Sequence, residues 1–427
     1  MTELIIFGLL AALMLTGMPI SIALGLTVLT FLYTLTQVPI DAVALKLFTG
    51  IEKFEIMAIP FFILAGNFLT HGGVAKRMIR FATSLVGHWH GGLGLGAVLA
   101  CALFAAVSGS SPATVVAIGS ILLPAMVKAG YPRRFGAGVV ASSGALGILI
   151  PPSIVMVMYA VSTNSSIGAL FMAGVIPGLV LAAMLMFTTW YRAKKHGYPR
   201  EPRANWGQRW KAFRESVWGL LLIVVVMGGI YSGLFTPTEA AAMSAVYAFI
   251  VVVFVYRDFS IRDVPKVLLA SANMSAMLLY IITNAVLFSF LLTHENIPQQ
   301  ISDWIVASGL GVIGFLIVVN VLLLVMGSFM EPSSIILITA PILFPIAMAL
   351  GIDPVHFGVM ITVNMEIGMI TPPVGLNLYV ASGISKLGLT EMSIAVWPWL
   401  LTMLVFLMIV TYYPPLSLWL PRTLGMM

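Results

Sequence analysis

Charge is scarce along this chain. Of its 427 residues only 8% are Asp, Glu, Lys or Arg, and cysteine occurs once. The lone Cys101 excludes an intrachain disulfide, so cysteine usage reports nothing about redox compartment. The six histidines (His71, His88, His90, His196, His294 and His356) fall in loops or at the ends of apolar segments. An intramembrane protease needs a buried Ser with His or Lys, or a pair of Asp, and is not expected. Lysine is missing from mid-segment too, where a proton-pumping subunit would carry it. No basic region precedes the first apolar run, MTELIIFGLL, which continues past Phe31, so a cleaved signal peptide is not expected. The short alternating segments of an outer-membrane barrel are also missing.

What the chain does have is apolar surface. With 60% hydrophobic residues and a mean hydropathy of +1.07, it cannot hide that surface in a water-soluble globule. Its apolar stretches run to about twenty residues, enough for a helix to cross a hydrocarbon core of roughly 30 Å. The expected fold class is an all-α, multi-pass integral membrane protein. The net charge of +6 concentrates in one place, Tyr191 to Ser216, where eight Lys or Arg residues (among them Arg192, Arg200 and Arg214) face Glu201 and Glu215. By the positive-inside rule this loop is cytoplasmic. It is a topology determinant first, although it could also bind anionic lipid. Threading outward from it places Lys46, Lys53 and Arg422 alone among the cations on the opposite face.

An internal repeat organises the rest. An offset of 221 residues lays Gly147, Pro151 and Pro152 on Gly368, Pro372 and Pro373, with one-residue slips matching Phe135 to Phe357 and Tyr159 to Tyr379. Upstream, SGSSPATVVAIGSILLPAM falls on GSFMEPSSIILITAPILFPIAM. Each copy holds a hairpin whose arms are expected to be too short to span comfortably, then a helix broken by a double proline. The second hairpin follows a loop with Glu295 and Asp303 and no cation, so it opens from the opposite face and the repeats are inverted. The expected division is scaffold helices at 1–53, a first repeat at 54–190 (hairpin about 93–130, broken helix 135–162) and a basic loop at 191–216. Further scaffold helices at 217–263 precede a second repeat at 264–427 (hairpin about 309–350, broken helix 356–385). Residues Leu4 to Tyr33 read either as one long span or as two broken at TGMPIS. The glycine-rich HWHGGLGLG lacks the strand, Lys and helix order of a phosphate loop and reads as a turn into the first hairpin.

A double proline in an apolar run sacrifices helical hydrogen bonds, and non-helical backbone survives at membrane depth only where it is buried or lines a wet cavity. Such breaks present bare carbonyls to a cation and bare N–H groups to an anion. The assembled blocks resemble a known family. FAAVSGSSPATVVAIGSILLPAM, GALGILIPPSIVMVMYA, GIYSGLFTPTEAAA, FMEPSSIILITAPILFPIAM and GIDPVHFGVMITVNMEIGMITPPVGLNLYVAS are similar to the large membrane subunit of tripartite ATP-independent periplasmic (TRAP) transporters. The resemblance implies an elevator-type, sodium-driven importer in the bacterial inner membrane. It implies as partners a small four-helix membrane subunit, here expected as a separate polypeptide, and a periplasmic binding protein that delivers an organic acid. MEPSS and PPVGLNLYVAS look most like C4-dicarboxylate members (succinate, malate or fumarate type). Sialic acid and other organic-acid members are the alternative, and a passive channel is the remoter one, because inverted halves within one chain favour alternating access. No enzymatic activity and no cofactor are expected, sodium being the coupling ion.

Ser110, Pro112, Thr114, Ser333 and Asn377 are the expected substrate-binding residues, offering helix-end N–H groups, hydroxyls and an amide to a carboxylate in the absence of a mid-membrane arginine. Sodium is expected at Ser108, Gly109, Ser111 and the loop at Gly327, and again at Gly368 and Thr371. Glu239 in FTPTEAAA reads as an ordinary helix cap. Glu331 and Glu366 sit where a cation site would, yet their first-repeat counterparts are uncharged, so the repeat does not require an acid there.

Overall fold

The computed structural model describes residues 2–36, 38–307, 309 and 311–427. Gln37 and Met1 of the expected first scaffold segment, and Ser308 and Leu310 of the expected second repeat, lie outside the described residues. Every regular element among the described residues is helical, and eight helical stretches are long and apolar enough to cross a membrane. A helix satisfies its own amides, which lipid cannot do.

The N-terminal segment is two helices, α1 (Thr2–Leu15) and α2 (Ile20–Leu35), because Gly17 turns the chain at φ 81° and Pro19 stands at the N-cap of α2. After α3 (Ile40–Thr49) come α4 (Ala58–His71), α5 (Val74–Val86), α6 (Gly92–Ser108) and α7 (Ser111–Lys128). The broken helix follows as α8 (Arg133–Gly144), a 3-10 turn at Ala145–Ile148, and α9 (Ile154–Thr163). α10 (Ile167–Lys195) runs back to the basic loop. α11 (Trp206–Ile223) then continues through a π turn at Val224–Gly228 into α12 (Gly229–Tyr231), before α13 (Pro237–Ile250). The series from α4 to α10 then recurs in the same order. It runs through α14 (Val264–His294), α15 (Ile297–Ala307), α16 (Gly311–Gly327), α17 (Pro332–Ala349), α18 (Pro354–Gly368), α19 (Leu376–Ser385) and α20 (Leu389–Tyr412), and α21 (Pro415–Thr423) closes the chain.

The second arms α7 and α17 have 18 residues each and reach the length of a span, contrary to the expectation that both arms of each pair are too short. Their surroundings distinguish them instead. α7 packs against α19, and α17 packs against α9, so each second arm lies on the short helix beyond the other repeat's break. Outside this exchange α4 packs on α13 and α14, α14 on α2, and α11 on α5. The first break, Leu149 to Ser153, is therefore buried among elements of both halves, whereas Pro372 and Pro373 of the second break are exposed.

Candidate functional site at two helix tips and two helix breaks

The first tip is built from small residues. α6 ends at Ser108, Gly109 turns the chain at φ 60°, and Ser110 in extended conformation precedes α7. Ser110 makes no side-chain cap bond to the amides of α7, and Pro112 in the first turn has no amide to satisfy. The Ser108 and Thr114 hydroxyls lie 2.9 Å apart, and Thr114 Oγ1 donates to the Ser110 carbonyl at 2.8 Å. This tip rests directly on the first break. A Cβ on Gly147 would stand 2.7 Å from the Ser110 carbonyl oxygen, and one on Gly109 would stand 2.9 Å from that of Pro152. Leu149 to Ser153 is entirely buried, with a cis bond between Pro151 and Pro152. Ser153 holds the break by donating to the Ile148 carbonyl at 2.5 Å and accepting from the Met156 amide at 3.3 Å.

The second tip repeats the geometry with different chemistry. α16 ends at Gly327, and a Cβ on Gly368 would stand 2.6 Å from Gly327 Cα, so the two backbones meet with nothing between them. The Ser328 carbonyl accepts from the Val374 and Gly375 amides at 3.1 and 3.2 Å, tying the tip to the break. Glu331 caps α17, its carboxylate accepting from the Ser333 and Ser334 amides at 3.2 and 3.3 Å and from both hydroxyls. Ser333 is thereby engaged by a neighbour in its own turn. Thr371 Oγ1 donates to the Ile367 carbonyl at 2.7 Å, which leaves its lone pairs free to accept. The bond between Pro372 and Pro373 is also cis, and both prolines are exposed.

One polar link crosses between the halves here. Asn377 Nδ2 donates to Ser111 Oγ at 2.7 Å and to the Ala141 carbonyl at 3.4 Å, joining α19 to α7 and α8. Its Oδ1 and the Ser142 and Ser143 hydroxyls are buried without a hydrogen-bond partner among the described residues. The structure thus brings Ser108, Gly109, Ser110, Ser111, Pro112, Thr114 and Asn377 together at the first tip. Gly327, Ser333, Gly368 and Thr371 gather at the second. Gly327 lies against Gly368 and Asn364 of its own repeat, and no described hydrogen bond joins it to the first tip.

Sequence reasoning missed three features. Ser142 and Ser143 belong to no motif, but the 221-residue offset lays Ser143 on Asn364, a polar residue one turn before Gly147 in the first repeat and Gly368 in the second. Asn364 itself donates to Asn320 Oδ1 at 2.6 Å, and Asn320 donates to Thr411 at 3.1 Å, in a buried ladder across α18, α16 and α20. The sequence marks Gly147 as a repeat marker and Gly368 as a repeat marker and expected sodium ligand, but does not show that each is the seat of a tip. Of the weighed acids, Glu239 forms a capping box with Thr236. Glu366 is buried, and neither carboxyl oxygen has a partner among the described residues. No cluster of three His, Cys, Asp or Glu side chains suited to a metal occurs among the described residues. Backbone ends, hydroxyls and amides are what this centre offers, a set suited to a small anion and to hard monovalent cations.

Comparison with known proteins agrees with this architecture. The YdaH transporter of Alcanivorax borkumensis superposes with a TM-score of 0.65 over 92% of this chain and 89% of its own; at 15% identity the likeness speaks for the fold alone. The C4-dicarboxylate TRAP transporter large permease protein DctM of Rhodobacter capsulatus is 74% identical over the full length of both chains. The sialic acid TRAP transporter large permease protein SiaM of Vibrio cholerae is 37% identical over 98% of this chain and 97% of that one. The isethionate TRAP transporter permease protein DctMQ of Oleidesulfovibrio alaskensis is 43% identical over 97% of this chain and 65% of that longer one. Residues 7–416 match the family described as the tripartite ATP-independent periplasmic transporter, DctM component, and the chain belongs to that family.

Proposed function

We propose that this chain is the permease unit of a sodium-driven importer of C4-dicarboxylates in the bacterial inner membrane. In this reading it works with a small four-helix membrane subunit and receives its substrate from a periplasmic binding protein. The observation that carries the reading is the pairing of two helix tips with two helix breaks, cross-connected between halves and holding buried polar atoms without partners at the first tip. The 74% identity to a relative named for C4-dicarboxylates supports the substrate class over sialic acid. The tips act as re-entrant hairpins, and the elements that hold them slide as a body against the surrounding helices.

At the first tip the uncapped amides of α7, with Thr114 and the Asn377 amide, receive a substrate carboxylate. Ser333 at the second tip contributes through its hydroxyl once Glu331 yields it. Sodium ions bind the carbonyls and hydroxyls of Ser108, Gly109 and Ser111, and those of Gly327, Gly368 and Thr371. A dicarboxylate carries two negative charges, so two sodium ions make the cycle electroneutral. A third would move net charge worth about 2.3 kcal/mol per 100 mV. The test is uptake of radiolabelled succinate into proteoliposomes. Accumulation is expected only with an inward sodium gradient, the small subunit and the loaded binding protein. Full uptake by this chain alone with free succinate, or uptake driven by a proton gradient without sodium, overturns the reading.

A further inference from the structure

At the far end of the molecule from the basic loop, a cavity of about 300 Å³ opens between the surrounding helices and the repeats. It lies beside the start of α10, a helix of 29 residues, about 43 Å long, whose last turn carries Arg192, Lys194 and Lys195. Lys46 from α3, Lys53 from the following turn, Ser162 from α9 and Ser289 from α14 line it, with Ile282 and Leu337 as apolar wall. Leu337 lies on α17, less than two turns from the second tip, so the cavity reaches from the surface toward the breaks.

Its charge is not cancelled locally. Lys53 Nζ donates to the Val161 carbonyl at 2.9 Å and to Asn164 Oδ1 at 2.6 Å, both neutral acceptors at the C-terminal end of α9. Lys46 Nζ stands 5.3 Å from the centre of the Phe290 ring. Among the described residues no carboxylate pairs with either lysine, and Asp41, Glu52 and Glu55, close by in sequence, do not line the cavity. Two ammonium groups, two hydroxyls and an apolar wall match a short organic dianion, carboxylates toward the lysines and methylenes against Ile282 and Leu337. Capping of α9 explains Lys53 in part, but gives Lys46 no role. We propose that this cavity is a staging site, where a dicarboxylate is held between Lys46 and Lys53 before it reaches the helix tips. This deepens the transport reading and rests on it.

Cys101 is buried, so a cysteine placed in the cavity is the accessible thiol for labelling. In the purified complex with the small subunit, succinate is expected to slow modification of Ser289→Cys by a methanethiosulfonate reagent. Lys46→Gln and Lys53→Gln, each in that background, should raise the half-protecting succinate concentration about tenfold through loss of one charge-assisted contact. Lys53→Arg, which keeps the charge, should retain protection and serves as the control for a merely structural role of Lys53. The staging site falls if succinate gives no protection, if protection survives both Gln substitutions, or if acetate at equal ionic strength protects equally. It falls also if protection comes only from anionic lipid or only from the binding protein. Wild-type succinate uptake is measured in parallel. Intact uptake without protection removes the staging site alone, whereas failed uptake removes the transport reading.

Discussion

The two helix tips share a backbone plan and differ in chemistry. At the first, half-buried Ser110 leaves the start of α7 without a side-chain cap, and the double proline beneath it is buried. At the second, Glu331 already fills the amides of α17, and Phe329 and both prolines are exposed. A helix N-terminus attracts an anion only while its amides are free. In the transport reading proposed above, the first tip is therefore the better seat for a substrate carboxylate, and the second, with the Glu331 carboxylate at its cap, the better neighbour for a cation. The cross-link obeys the same division. Asn377 binds Ser111 at the first tip, while the offset that lays Pro151 on Pro372 puts Met156 at the corresponding sequence position, an apolar side chain that lies against Gly174 of α10. The two tips thus share one backbone plan and differ at a handful of side chains.

The largest effect is expected where backbone meets backbone. A methyl on Gly368 would stand 2.6 Å from Gly327 Cα, a distance no rotamer change can relieve, so Gly368→Ala should abolish sodium-driven uptake while the chain still inserts and binds the small subunit. Gly147→Ala meets the Ser110 carbonyl at 2.7 Å and should be nearly as damaging. Normal uptake by either variant would break the claim that both tips must seat on their breaks. Asn377→Ala comes next. It removes the donor to Ser111 and should raise the half-saturating substrate concentration about tenfold. Met156→Ala, at the equivalent position, should change the substrate dependence little. Saturation curves for the two variants side by side decide this, and equal shifts would erase the distinction between the tips.

Much of this was legible in the sequence because duplication is written in prolines and glycines. The two Pro-Pro breaks, the small-residue tips and the basic loop each have a physical signature that survives without an alignment. Asn377 was grouped with residues of both tips as one expected substrate site, and the structure pairs it with Ser111 of the first. What stayed hidden depends on packing between distant segments. Which break each tip rests on is decided by contacts within one repeat, Ser110 against Gly147 and Gly327 against Gly368, while the exchange that lays α17 on α9 and α7 on α19 joins segments from opposite halves of the chain. Ser142 and Ser143 looked like ordinary residues of an apolar helix, and only their burial without partners marks them, whereas Glu366 stood out as an acid beside the second break and its burial without a partner is what the sequence does not show. Length misled as well, since α7 and α17 are as long as spans.

A smaller effect separates the caps. Glu331→Ala removes the acceptor of the Ser333 and Ser334 amides and should cost about 1 kcal/mol of stability, seen as a lower Tm of the purified complex. Ser110→Ala removes no cap bond and should leave Tm unchanged while weakening substrate dependence. A stability loss in Ser110→Ala equal to that in Glu331→Ala would show that the first tip is capped after all.

The finest distinction lies at the residue before each double proline, Ile150 in the first repeat and Thr371 in the second. Ile150 offers a ligand only its carbonyl. Thr371 adds a hydroxyl whose proton is committed to the Ile367 carbonyl at 2.7 Å, which turns its lone pairs outward as acceptors beside the Gly327 to Met330 turn. A sodium ion at the second break would therefore use that oxygen, and one at the first break has no equivalent to lose. Thr371→Ala should weaken sodium activation several-fold, on the order of one hydrogen-bond-sized contact, and lower the Hill coefficient by uncoupling one of two sites. Thr371→Ser, which keeps the oxygen, should restore both. Ile150→Thr should leave the curve as it is, because the sodium site proposed at the first tip draws on Ser108, Gly109 and Ser111 and on no side chain at position 150. An unchanged sodium curve in Thr371→Ala would move the second cation away from this break, and with it the division of labour between the tips.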